Sequence, residues 1–254
     1  MQSLYDRADI YDLFENDRRW GIVREHWKKV LGEKKIRSFL DVSYGTGNLT
    51  LPLAEMGIEI YGSDLSDAML RRGQEKAEQK GFQVNLRQCD FRNLGRVFNQ
   101  KFDCVASTGN SLAYVTNGEV LDVLEQMDSL VNPGGWLYFD LRNWDKILRE
   151  KNRFYVYEPV FVDDARVNCV QLWDYNSDGS MTFNILYTFE RDNRFFKKEQ
   201  FAERYIPIKR EILLKKLADL GYRDLQTHCH PACFEGISAE DAEWYCVIAR
   251  KARD

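Results

Sequence analysis

Phe39-Leu40-Asp41-Val42-Ser43-Tyr44-Gly45-Thr46-Gly47 is the stretch that decides the fold: an apolar run starting near Ile36 ends in a glycine-bracketed turn. Residues 48–57 follow with Leu49, Leu51, Leu53, Ala54 and Met56, which predicts a helix. Strand, glycine-rich turn and helix open a doubly wound sheet. The alternation continues downstream. Strands are predicted over 58–63, 83–88, 102–107 and 136–141, helices over 66–81 and 121–131, and Asn132-Pro133-Gly134-Gly135 as a turn. Upstream, Ile22, Val23, Trp27, Val30 and Leu31 recur at helical spacing, so residues 1–32 are predicted helical.

Beyond residue 150 the helical period stops. The runs 154–162, 167–175, 181–190 and 200–207 are β-rich, with Asn176-Ser177-Asp178-Gly179-Ser180 as a hairpin turn and Asp192-Asn193 as a candidate second one. Helical spacing returns over 209–220, Gly221 caps that helix, and strands are predicted over 222–229 and 243–251. The expected architecture is an α/β doubly wound, mainly parallel seven-stranded sheet. Residues 1–150 and 208–254 are expected to form its main domain, and 151–207 an inserted antiparallel β-subdomain.

The 254-residue chain carries 36 Lys+Arg against 40 Asp+Glu, a formal net charge of −4 that leaves no basic footprint for nucleic acid. A hydrophobic fraction of 44% with 5 prolines fits one globular unit without long disordered linkers. The first twenty residues are rich in Asp, Arg and Tyr and hold no apolar core segment, and no stretch approaches the roughly 18 to 20 apolar residues of a membrane span. Neither a signal peptide nor a membrane partner is therefore expected. Six cysteines dispersed through a chain large enough to build its own core predict reduced thiols and a cytoplasmic location.

Ligands of such sheets sit beyond the carboxyl ends of the strands. Gly45 and Gly47 let the backbone approach a ligand closely, but Thr50 stands where a dinucleotide fingerprint wants a third glycine. The second strand ends in Asp64, 19 residues after Gly45, where a carboxylate can accept both ribose hydroxyls of a nucleoside; the third ends before Asp90. Two carboxylates suit a nucleoside without phosphates, such as S-adenosylmethionine. Two other readings stand beside this one: the aspartates as plain helix caps, and a nicotinamide enzyme.

Asp41 to Gly47, Asp64, Asp90 and the Asn132-Pro133-Gly134-Gly135 turn resemble the successive motifs of class I S-adenosylmethionine-dependent methyltransferases, over nearly the whole chain in element order. The sequence departs at Ser43-Tyr44, where that class has Gly or Ala and then Cys or a small residue. The resemblance implies cofactor contacts at Tyr11, Asp41, Ser43, Gly45, Gly47, Asp64, Leu65, Asp90, Phe91 and Thr108, with S-adenosylhomocysteine as product and no metal. Tyr5-Asp6, Tyr11-Asp12 and Trp20 are similar to an N-terminal segment that folds over the cofactor.

Two further stretches, Phe102 to Ala113 with Gly109-Asn110-Ser111, and Tyr138 to Leu148 with Arg142-Asn143-Trp144-Asp145, look like those of glycine N-methyltransferases and glycine/sarcosine N-methyltransferases. In chemical terms a guanidinium at Arg142 can clamp an acceptor carboxylate bidentately, with Asn110 as a second polar contact. A salt bridge from Arg142 to Asp140 or Asp145 is the plainer alternative. By resemblance Tyr157 and Tyr187 line the acceptor pocket, with Tyr155 the alternative to Tyr157; ordinary strand packing is their plainer reading. Methyl transfer from a sulfonium is an in-line displacement in which positioning supplies most of the acceleration, so no His or Cys nucleophile is required. The acceptor expected is glycine, sarcosine or a similar small amine, and a homo-oligomer is left open. The alternatives are an N- or O-methyltransferase of an aminosugar or secondary metabolite, and a non-catalytic cofactor-binding module. His228-Cys229-His230-Pro231-Ala232-Cys233 lacks the Cys-x-x-Cys pair of a zinc site, and strand alternation turns Cys229 away from both histidines.

Overall fold

The computed structural model describes residues 3–253. The first half of the chain holds α1 (Ala8–Tyr11), α2 (Asp17–Leu31), β1 (Ser38–Asp41), β2 (Glu59–Asp64), α3 (Asp67–Gln79), β3 (Val84–Gln88), β4 (Phe102–Ser107) and α4 (Asn117–Ser129). The second half holds β5 (Val131–Arg142), α5 (Trp144–Glu150), β6 (Phe154–Val156), β7 (Val160–Val162), β8 (Ala165–Tyr175), β9 (Met181–Arg191), β10 (Arg194–Tyr205), α6 (Arg210–Asp219), β11 (Arg223–Cys229) and β12 (Trp244–Arg250).

β1 lies between β2 and β4, and the seven-stranded sheet runs β11-β12-β5-β4-β1-β2-β3. β12 alone runs against the other six, antiparallel to both β5 and β11. Chain order reverses beside β1, which is where a doubly wound sheet opens a crevice. Adjacent residues bury on opposite faces: Phe39, Cys104 and Tyr138 join a cluster with Trp27 and Leu70, whereas Leu40, Val105 and Phe139 join one with Val123 and Leu213. The second sheet is antiparallel, ordered β10-β9-β8-β6, with β7 also paired to β8.

Three local predictions are corrected. Residues 48–57 do not form an α-helix; Leu51–Met56 is a 3₁₀ turn, because Pro52 lacks an N–H and its ring crowds the carbonyl four residues back. The N-terminal 32 residues are not one helix: Asn16 takes an extended conformation and caps α2 through the Arg19 N–H, so 4–14 winds as short turns in front of it, while Met1 and Gln2 lie outside the described residues. The Asn132-Pro133-Gly134-Gly135 segment is absorbed into β5 as an irregularity in its pairing with β4.

The departure at Tyr44 is accommodated by glycines. Its ring is 3% exposed and lies under the turn, where a Cβ on Gly47, Gly62 or Gly73 would fall within 2.4, 2.7 and 2.7 Å of Tyr44 atoms. Gly73→Ala is therefore expected to destabilise the fold by about 1–2 kcal/mol, overpacking outweighing the roughly 1 kcal/mol helical advantage of alanine. In a Tyr44→Ala background the same change is expected to stabilise. Denaturant midpoints of the four proteins check this, and equal effects of Gly73→Ala in both backgrounds would refute the coupling.

Candidate active site

The carboxyl ends of β1, β2 and β4 enclose a cavity lined by Tyr5, Tyr11, Ser43, Gly45, Asp64 and Thr108, among others. Gly45 and Gly47 turn through φ of +56° and +78°, a region that favours glycine, and a Cβ on Gly45 would meet nothing within 4 Å, so the turn's backbone is open to a ligand. Asp64 Oδ2 accepts the Gly45 N–H (2.9 Å) and Oδ1 the Ser66 N–H (2.9 Å), and burial raises its pKa. A carboxylate oxygen carries more than one acceptor direction, so Asp64 can hold the turn and still receive ribose hydroxyls.

Not every cofactor candidate reaches this cavity. Asp41 is fully buried behind the wall, its carboxylate receiving Ser43 N–H (3.0 Å), Thr108 Oγ1 (2.8 Å) and Thr50 Oγ1. It shapes the turn from beneath, and the space beside Gly47 is taken by Tyr44. Asp90 caps the following turn through the Arg92 N–H and pairs with the Arg92 side chain (2.6 Å), which holds its carboxyl below the usual range. Leu65 is 67% exposed and Phe91 packs against the core; neither they nor Asp90 line the cavity.

The N-terminal turns cross the crevice as a strap. Asp12 receives Thr46 Oγ1 (2.7 Å), Asn48 Nδ2 (3.0 Å) and Arg72 Nε (3.0 Å). Tyr5 Oη receives the Tyr114 hydroxyl (2.9 Å), and Glu203 on β10 receives the Leu4 N–H (2.7 Å) and Ser3 Oγ (2.8 Å). The strap is thereby tied to both sheets. Trp20 lies beyond it on α2, donating to Glu55 (2.9 Å).

Arg142 ends β5 on the side facing the second sheet and is 5% exposed. Nη2 donates to Tyr157 Oη (3.3 Å) and Gln171 Oε1 (3.2 Å), and the rings of Tyr155, Trp173, Phe183 and Trp244 lie 4.7–5.4 Å from the guanidinium carbon. No carboxylate among the described residues pairs with it. Asp140 turns to the Gly109 N–H (2.8 Å) and Asp145 to the Arg210 N–H (3.2 Å), so the salt-bridge alternative fails. Tyr155 and Tyr157 both flank the guanidinium. Tyr187 sits on the neighbouring strand against Phe14 of the strap (6.0 Å), which also meets Tyr157 (5.7 Å). Asn110, at φ +67°, accepts the Arg142 N–H through Oδ1 (3.1 Å), and its Nδ2 is buried without a partner. Gln171 was not anticipated; the signal was a lone amide on the inward face of β8 among Val167, Cys169 and Trp173.

Beneath the 108–110 turn, Asp140 is fully buried and its pKa is raised to about 7, chiefly by desolvation. The folded chain holds this proton up to about pH 7, whereas the unfolded chain releases it near 3.8, so the group lowers stability as pH rises between those values and has its full cost above them. Asp140→Asn is expected to exceed the parent in stability at pH 8, with the difference shrinking toward zero by about pH 4. Melting curves of both proteins across that range check it, and a constant difference would contradict it.

Behind Asp140, His26, His230 and Cys246 bring ligand atoms within 4.8 Å of one another. His26 Nδ1 accepts the Ala232 N–H (2.8 Å), so its neutral ring carries a proton on Nε2, which donates to Tyr138 Oη (3.0 Å). Tyr138 Oη in turn donates to Asp140 Oδ2 (3.3 Å). Both nitrogens of His26 are thus committed to protein partners.

The methyltransferase domain family matches residues 39–135. A glycine/sarcosine N-methyltransferase of Aphanothece halophytica is 26% identical over 238 residues, 89% of this chain and 81% of that protein, and one of Halorhodospira halochloris is 25% identical over 85% and 77%. Among solved structures, an S-adenosylmethionine-dependent methyltransferase from Clostridium acetobutylicum superposes with a TM-score of 0.75 at 20% identity, covering 97% of this chain and 98% of that one. A sugar N-methyltransferase from Streptoalloteichus gives 0.73 at 19%, covering 99% and 94%. The domain match makes residues 39–135, which carry the turn and β1 to β4, a methyltransferase domain, and the strand order around it is the fold it shares with these solved structures.

Proposed function

We propose that this enzyme methylates the amine of a small carboxylate-bearing acceptor, glycine or sarcosine foremost. The observation that carries this reading is Arg142: a buried guanidinium with no carboxylate partner among the described residues, beside a buried Asn110 Nδ2 with no hydrogen-bond partner among them. Leaving a buried charge unpaired is costly, and such donors are retained where a ligand completes them. The glycine/sarcosine N-methyltransferases among its relatives support the same acceptor class.

In this reading residues 151–207 are an insert that covers the acceptor, and the remainder holds the methyl donor. Asp64, Gly45, Ser43 and Thr108 would hold S-adenosylmethionine, which supplies an electrophilic methyl group on a sulfonium. Arg142 and Asn110 fix the acceptor carboxylate and so aim its nitrogen. The aromatic walls, with the strap closed over them, exclude water and favour the neutral, nucleophilic amine over its ammonium form. An aminosugar has no carboxylate to complete Arg142.

Calorimetry with S-adenosylhomocysteine present tests the acceptor class. Sarcosine is expected to bind at least about tenfold tighter than dimethylamine, which lacks the carboxylate, in line with one or two charge-assisted hydrogen bonds. Equal affinity for the two would refute the reading.

A further inference from the structure

Gln171 stands at the centre of the inward face of β8 and is 6% exposed. An amide buried there is costly unless its groups are bonded, and each is engaged. Oε1 accepts from Arg142 Nη2 (3.2 Å) and Trp173 Nε1 (3.1 Å), while Nε2 donates to Tyr157 Oη (3.3 Å). Two donors on one side fix the amide's orientation: the oxygen faces guanidinium and indole, the nitrogen faces the phenol. Tyr157 Oη accepts from both Arg142 and Gln171, which directs its own proton elsewhere.

Shape does not require glutamine here. A glutamate has the same length, could accept from Arg142 and Trp173 in the same way, and could receive the Tyr157 hydroxyl in place of the amide's donation. What differs is charge. A glutamate would neutralise Arg142 from within the fold and so cancel the charge that an incoming carboxylate must otherwise meet.

We infer that Gln171 is a specificity-determining residue: it meets Arg142 with a neutral acceptor where a carboxylate of the same length would fit, so that the guanidinium's charge stays available to the anionic group of the methyl acceptor. The inference rests on the carboxylate reading above. Gln171 acts through Arg142 and is a positioning residue, and its substitution moves discrimination between acceptors more than turnover.

The test compares wild type, Gln171→Glu and Gln171→Leu in steady-state kinetics with sarcosine and with dimethylamine, and measures S-adenosylmethionine affinity for each. Gln171→Glu is expected to raise the KM for sarcosine about 100-fold, with kcat changed a few-fold, donor affinity unchanged, and the preference for sarcosine over dimethylamine lost. Gln171→Leu, which removes the acceptor without adding charge, is expected to keep that preference within about tenfold. If wild type prefers sarcosine and Gln171→Glu keeps the preference, this inference falls while the carboxylate reading stands. If Gln171→Leu loses the preference, orientation and not charge is what matters, and the inference falls as well. Should Gln171→Glu fail to bind donor, the leucine variant decides by the same criterion. A wild type with no preference between the two amines overturns the reading beneath both.

Discussion

Arg142→Ala is expected to raise the KM for a carboxylate-bearing acceptor about 100- to 1000-fold while leaving S-adenosylmethionine affinity within about twofold. A guanidinium that receives a carboxylate forms two charge-assisted hydrogen bonds, each contributing about 1.5–3 kcal/mol, and 1.4 kcal/mol is tenfold. The separation of effects follows from the geometry. Arg142 contacts Tyr157, Gln171 and four aromatic rings, and it is not among the residues around the cavity at the ends of β1, β2 and β4. Its link to that cavity is the backbone N–H held by Asn110, which alanine retains. Arg142→Lys keeps the charge and loses the planar fork, so an intermediate loss is expected. Initial-rate measurements against sarcosine, with donor binding measured separately, check both variants. A collapse of donor affinity in Arg142→Ala would assign the residue to the scaffold.

Asp64→Ala is expected to do the reverse: weaken donor binding by about 100-fold and leave the acceptor KM close to wild type at saturating donor. Two consequences combine. The turn loses its tie from Gly45 to the start of α3, and a donor ribose loses a charged acceptor for its hydroxyls, about 1.5–3 kcal/mol per bond. Asp64→Asn keeps one oxygen acceptor and is expected to fall between the two. Equilibrium binding of S-adenosylmethionine checks the series, and an unchanged affinity in Asp64→Ala would show that the donor lies elsewhere.

What the sequence made legible, and what it did not, divides along a physical line. The places of Gly45 and Asp64 could be read because a tight turn after one strand and the end of the next strand are local patterns, with fixed spacing imposed by the βα unit. The seven strands of the main sheet and the separate antiparallel sheet were legible for the same reason. Residues 48–57 were misread because apolar spacing alone does not register the missing N–H of Pro52. The roles of Asp41 and Asp90 depend on partners no spacing reveals: Thr50, Thr108 and Ser43 occupy one, and Arg92 the other.

The surroundings of Arg142 were legible only in outline. Arg142 could be proposed from its neighbours in sequence, but its lack of a counter-ion depends on where Asp140 and Asp145 turn, which is a tertiary fact. Gln171, Trp173 and Tyr157 converge on the guanidinium from another sheet, and their meeting is set by the pairing of β8 with its neighbours. Likewise His230 meets His26, 204 positions away in the chain, which no motif search would join.

Transfer of label tests the central claim most directly. Purified protein incubated with methyl-labelled S-adenosylmethionine and, in separate reactions, glycine, sarcosine, dimethylglycine and simple amines lacking a carboxylate is analysed by mass spectrometry for labelled product. The account predicts label in methylated glycine or sarcosine and little or none in the simple amines. Label appearing equally in the simple amines, or no labelled product from any carboxylate-bearing amine while the donor still binds, would contradict it.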